Sequence, residues 1–178
     1  MRLARKIADM IWRDSAPARC LRRYASTGHA FAQSALGDMY RKGKLVLQNY
    51  ADAAKWYRLA AEQGDAHAQF NLGACYTAGR GVPQDDAEAV KWYRLAAEQG
   101  DSLAQFNRGA MYSSGRGVPK DLITAYMWFD LSAARGTQAG AGSCRTIARQ
   151  LSPHQVEQAR TLAGAWKAAR APREGAAP

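Results

Sequence analysis

The chain has 178 residues, 47% hydrophobic and 22% charged, with 25 Lys and Arg against 15 Asp and Glu for a net charge of +10. That composition suits a soluble bacterial-style α-protein of one domain with a continuous core, and no stretch approaches the roughly 20 apolar residues of a membrane span. Cys20, Cys75 and Cys144 form no Cys-x-x-Cys pair; the odd count and the absence of a signal peptide point to a reducing cytoplasm, with Cys20 and Cys75 as buried free thiols.

Residues 1–28 are read as an N-terminal helix and a degenerate half repeat. Over Met1–Asp14, Leu3, Ile7, Met10 and Ile11 share one helical face, with Arg2, Arg5, Lys6 and Arg13 elsewhere. The spacing predicts a helix that caps the array; the alternative is a basic amphipathic helix on a membrane surface or partner. Asp9 and Arg13 interrupt the apolar stretch, which excludes a signal peptide. Pro17–Thr27 reads as a worn second helix.

From residue 29 the chain is periodic. Lys55–Asp65 recurs unchanged as Lys91–Asp101, 36 residues later, and a looser copy follows around Trp128 and Gly136. Such a period signals a repeat array, with units at 29–64, 65–100 and 101–136. In the middle unit Ala68, Leu72 and Tyr76 form one helical stripe, and Gly79-Arg80-Gly81-Val82-Pro83 breaks the chain. Asp85 is a predicted N-cap with Glu88 in a capping-box arrangement, and Trp92 lies on the second helix before Gly100, which suits the left-handed position after a helix. Gly64 and Gly136 take the same register. Each unit is therefore a helix pair. Trp56, Trp92 and Trp128 are expected to supply the large buried area, while the mid-helix Gly73 and Gly109 mark close helix crossings. One unit cannot bury its apolar face alone, so neighbours must stack.

After Gly136 the period fades. Residues 137–170 read as C-terminal capping helices, the second opened by Ser152 as N-cap and Pro153 at the first helical position, with Trp166 on its apolar face. Residues 171–178 read as a disordered tail.

The set Ala68, Leu72, Gly73, Tyr76, Gly79, Gly81, Val82, Asp85, Ala89, Trp92, Ala96, Ala97 and Gly100 resembles the Sel-one-like repeat (SLR) family, a bacterial-type branch of the tetratricopeptide-like helical repeats. The resemblance covers roughly residues 28–136 and implies an all-α, right-handed α-solenoid of antiparallel helix pairs with terminal capping helices. Departures are local: Arg108 stands where Leu36 and Leu72 stand, Ser132 replaces a paired alanine, and Leu45 and Leu47 replace the glycine and proline of the first loop.

Chemistry is sparse. His29, His67 and His154 make no metal-ligand spacing, the Gly-x-Gly loops lack the strand and third glycine of a phosphate cradle, and Asp85, Asp86 and Glu88 sit where capping accounts for them. No nucleophile has an evident base, so no catalytic residue, metal or cofactor is expected. A surface remains. In solenoids of this kind the first helices usually line a peptide-binding groove, where Gln33, Gln69, Gln105, Asn71 and Asn107 recur; they either bond an extended peptide or bridge helices. Arg108 either snorkels or marks the docking point of an acidic partner. Arg41, Lys42 and Lys44 form a basic loop patch, and residues 1–50 hold ten basic against three acidic groups.

For function the resemblance implies a noncatalytic scaffold or adaptor, a monomer or weak dimer, holding a protein partner along the groove. A small-molecule-binding or β-lactamase-like hydrolase, as attributed to cysteine-rich relatives, is the alternative; the absence of paired cysteines argues against it. Nucleic-acid or anionic-surface binding through the basic ends is weaker still, because no aromatic–basic interleaving accompanies the charge.

Overall fold

A computed structural model describes residues 16–170; the predicted helix over 1–14 and the tail 171–178 lie outside the described residues. Within them the chain forms helices α1 (Ala16–Ser26), α2 (Ala30–Lys42), α3 (Tyr50–Glu62), α4 (Ala66–Ala78), α5 (Asp86–Glu98), α6 (Ser102–Ser114), α7 (Leu122–Ala134), α8 (Gln138–Ala148) and α9 (Pro153–Ala168), and no strand. The fold is an all-α solenoid of helix pairs. The chain divides into two compact units between Ala104 and Gln105, inside α6.

The helix boundaries follow from local chemistry. Asn49, Asp85 and Asp121, spaced by the repeat, each accept hydrogen bonds from two backbone N–H groups of the following turn at 2.9–3.2 Å. These are donors the helix itself leaves unmet. Asp65 and Asp101 do the same for Ala68 and Ala104, both at 2.7 Å. The expected capping box at Asp85 is only half made. Its own N–H donates to the carbonyl of Tyr76 at 3.1 Å, and Glu88 instead pairs with Lys91. The complete box is at Ser152, whose N–H donates to Gln155 Oε1 at 2.9 Å while its Oγ accepts from Gln155 N.

In the first unit α1 packs on α2, α2 on α3, α3 on α4 and α4 on α5, with α2 also touching α4. The core is not built on the tryptophans, as the sequence suggested. Trp56 and Trp92 are half-buried, whereas the adjacent Tyr57 and Tyr93 are 0% and 3% exposed. The mid-helix glycines explain why. A Cβ on Gly37 would lie 2.7 Å from the Tyr57 ring and one on Gly73 2.9 Å from the Tyr93 ring, so each glycine admits the flat face of a tyrosine from the paired helix. In the second unit Gly109 admits Phe129 at 2.8 Å. There Trp128 is buried too, packed edge-on to Trp166 of α9 with ring centres 5.6 Å apart.

Cys75 is buried but Cys20 is exposed, which corrects its expected burial. Cys20 holds the register of Trp56, the half-buried position, and its helix turns Ala18 and Ala25 inward instead.

Leu45, in the first loop, has φ +64°. It occupies the register of Gly81, whose φ is +77°, so the loop keeps its path although the glycine is gone. A left-handed conformation strains an L-residue by about 1–2 kcal/mol. Part of that gain is offset by the extra freedom glycine brings to the unfolded chain. Leu45→Gly is thus expected to stabilise the protein by about 0.5–1 kcal/mol in urea denaturation, with the m-value unchanged.

Candidate functional site

The sequence-predicted residues divide sharply. Gln33, Gln69 and Gln105 are 4%, 3% and 0% exposed, so they are not groove residues open to a peptide. Gln33 Nε2 donates to the carbonyl of Ala25 and Gln69 Nε2 to that of Ala61, both at 3.1 Å. Their Oε1 atoms accept from Gln63 at 2.7 Å and Gln99 at 2.8 Å. Each amide thus ties a first helix to the ends of second helices before and after it, and the bridging alternative is the one observed. Buried polar groups need such partners. Asn71 is also buried; its amide donates to the carbonyl of His67 at 2.9 Å and lies 3.0 Å from the His67 ring. Asn107 is half-buried.

Arg108 is half-buried, its guanidinium carbon 4.1 Å from the centre of the Trp128 ring. Arg170 lies at 4.3 Å over Trp166 in the same way. Two cations therefore flank an edge-on indole pair, in the order Arg108, Trp128, Trp166, Arg170. A charge replaces the repeat's leucine here because a cation over an indole face is attracted by the ring quadrupole, and an arginine stem also packs as an apolar group.

A cluster that sequence reasoning missed sits on α2. The Tyr57 hydroxyl donates to Asp38 Oδ1 at 2.5 Å, and Arg41 Nε donates to the Tyr57 oxygen at 3.0 Å. Lys42 Nζ reaches Asp38 Oδ2 at 2.9 Å, Arg41 lies at 3.4 Å, and His67 of α4 approaches Oδ1 at 3.4 Å. Only Lys44 of the predicted basic patch stands apart from this group. The other repeats carry alanine at this register, Ala74 and Ala110, so the cluster has no periodic signal. The one clue was Asp38 itself, an acidic side chain four residues before Lys42. On the same face Phe31 is 80% exposed. Phe31, Asp38 and Lys42 follow the i, i+7, i+11 spacing of one helical stripe.

Burial works to raise the Asp38 carboxyl, but the hydrogen bonds from Tyr57 and Lys42 and the nearby His67 hold it down at about 2. Burial and the bond to Asp38 push the Tyr57 phenol up, and burial pushes the Cys144 thiol up to about 11. Because the folded carboxyl titrates below its unfolded value of 3.8, its stabilisation is full above about pH 5 and is lost as pH falls from about 4 to 2. After allowance for solvent screening this is worth about 1–2 kcal/mol. Asp38→Asn is expected to lower the melting temperature at pH 7 yet flatten its fall between pH 5 and pH 2. An unchanged slope would show that other carboxylates dominate acid unfolding.

No group of three or more His, Cys, Asp or Glu among the described residues is placed to hold a metal ion. No described helix is long and apolar enough to cross a membrane.

The model of the Sel1 repeat matches residues 30–65, 66–101 and 102–137. The chain belongs to the Sel1 repeat family. Sel1 repeat proteins are generally noncatalytic protein-interaction scaffolds. Among solved structures this chain is similar to a protective antigen present in uropathogenic Escherichia coli strains and displaying an SLR fold, at 32% identity and a TM-score of 0.78, over 89% of this chain and 36% of that one. The chain thus spans about a third of the antigen's length. It is also similar to a Sel1 repeat protein from Oxalobacter formigenes, at 36% identity and a TM-score of 0.66, over 75% of this chain and 98% of that one. No curated protein matches the sequence.

Proposed function

We propose that this Sel1 repeat chain is a noncatalytic adaptor that holds a partner protein against the exposed face of α2. An apolar side chain of the partner packs on Phe31 and an acidic one pairs with Lys42 and Arg41. The observation that carries this reading is the stripe itself: a large aromatic 80% exposed, followed on the same face by a carboxylate that orients two cations. With Asp38 ionised, the three charges leave a net positive site, which favours an acidic partner and speeds encounter. The Asp38 carboxyl at about 2 and a phenol committed to it leave neither group free to exchange protons near neutrality, which supports a binding role over hydrolysis.

The test begins with crosslinking and mass spectrometry from the host cell, followed by binding kinetics on the partner so found. Phe31 is exposed, so Phe31→Ser should change stability by no more than about 0.5 kcal/mol while speeding dissociation about tenfold. Lys42→Glu should mainly slow association, and that loss should shrink at high salt as the Debye length falls to about 3 Å at 1 M. A partner whose rates ignore both variants would place its site elsewhere.

A further inference from the structure

The first unit also carries a cleft of about 420 Å³ beside α3, a size typical of ligand pockets. Its floor is small and apolar, from Ala51 and Ala54 of α3 and Val82 of the loop between α4 and α5. Gly81 also lines it; a Cβ there would lie 2.0 Å from the carbonyl oxygen of Tyr50, so the loop is pressed against the start of α3. Lys55 and Arg58 stand on the rim with Leu59, which is 44% exposed and extends the apolar floor outward.

The repeat supplies its own control. At the register of Ala54 the second repeat has Val90 and the third Tyr126; at that of Ala51 the third has Ile123. The second repeat keeps the cations as Lys91 and Arg94, whereas the third has Met127 and Asp130. Small floor residues and paired cations therefore coincide in the first repeat, and room is left where other repeats place side chain. Arg58 is held ready: it donates to the Tyr76 hydroxyl and its guanidinium lies 5.8 Å from the centre of that ring. Lys55 is partly offset by Asp52, 3.7 Å away, so Arg58 is the principal anion-facing group.

We infer that this cleft is a second docking site, distinct from the α2 face, and that it takes an extended segment of a partner protein in which an aliphatic side chain is followed closely by a carboxylate. The apolar side chain fills the space above Ala51 and Ala54, and the carboxylate meets Arg58. Leu59 offers a further apolar contact along the chain, which favours a peptide over a small amphiphile. The chain's own residues 1–14 are excluded on charge, since four basic groups outnumber two acidic ones there and would face two cations.

A phage-displayed library of random octapeptides, selected on the full chain, tests this. Ala54→Val is the discriminating variant, because it introduces the residue the second repeat already carries and so should fold. Selected peptides should share an aliphatic residue next to Asp or Glu, and should bind Ala54→Val at least tenfold more weakly. Lys55→Glu, at a side chain 76% exposed, should weaken them less, and Phe31→Ser should leave them unaffected. Peptides that bind wild type and Ala54→Val equally, or that share a basic or uncharged consensus, would overturn the proposal. So would octanoate binding that depends on Ala54 while no peptide's does, or a wild-type dimer that Ala54→Val dissolves. Because the α2 variant is separate, failure here leaves the adaptor reading standing, and failure of that reading leaves this site standing.

Discussion

Tyr57→Ala is expected to destabilise the protein by about 3–5 kcal/mol, at the upper end for an aromatic truncated in a core. The ring is 0% exposed and rests on the bare backbone of Gly37. With no side chain on that facing position, little can move in to fill the void. Tyr57→Phe keeps the ring but strips Asp38 of its 2.5 Å donor, for about 1–2 kcal/mol. Gly37→Ala alone should overpack the same contact by about 1–3 kcal/mol. Combined with Tyr57→Ala, the new methyl enters the void, so the double variant should lose less than the two single losses together. Chemical denaturation of the four proteins completes the cycle, and strict additivity would show that ring and glycine do not share the space.

Gly81→Ala is expected to cost about 3 kcal/mol, a large share of the stability of a domain this size. Two effects combine there: a φ of +77°, worth about 1–2 kcal/mol of strain, and a Cβ 2.0 Å from the Tyr50 carbonyl oxygen, which forces the backbone apart at about 1–3 kcal/mol. Gly64→Ala separates them. Its φ is +93°, but nothing lies within 4 Å of the added atom, so only the strain remains and the loss should be about 1 kcal/mol. Equal losses at the two positions would mean that the loop yields to the methyl without resistance.

The periodic part of this fold was open to reading. Helix pairs, N-caps at Asp85 and Ser152 and positive-φ glycines at 64, 100 and 136 each follow from residue types that recur at a fixed offset and act locally. Which aromatic is buried was harder, because Trp56 and Tyr57 are adjacent and a helix turns only about 100° between them. The signal was present as a pairing: Gly37, Gly73 and Gly109 each precede Tyr57, Tyr93 and Phe129 by 20 residues. The candidate site was less legible. A recurring buried glutamine and a recurring exposed one look alike in one sequence, since burial depends on the preceding hairpin. The Asp38 cluster joins residues 19 and 29 positions apart in one repeat only, so no offset announces it. Arg108 stood out as a departure, but the ring it covers comes from the next helix.

The glutamine bridges bear on how this chain can change length. Gln33 and Gln69 sit in equivalent frames, each bonded to a carbonyl eight residues back and to an amide 30 residues ahead. The segments Lys55–Asp65 and Lys91–Asp101 are identical. Excision of one copy with the 25 residues between them removes 36 and leaves a junction indistinguishable from the original, with Gln105 delivered to the carbonyl of Ala61 that Gln69 now occupies. A deletion of 35 or 37 within a helix would instead turn the residues beyond the junction in that helix by about 100° and set its amide against apolar neighbours. Length in this molecule is therefore counted in whole turns of the array, and gene-level gain or loss survives only in that denomination.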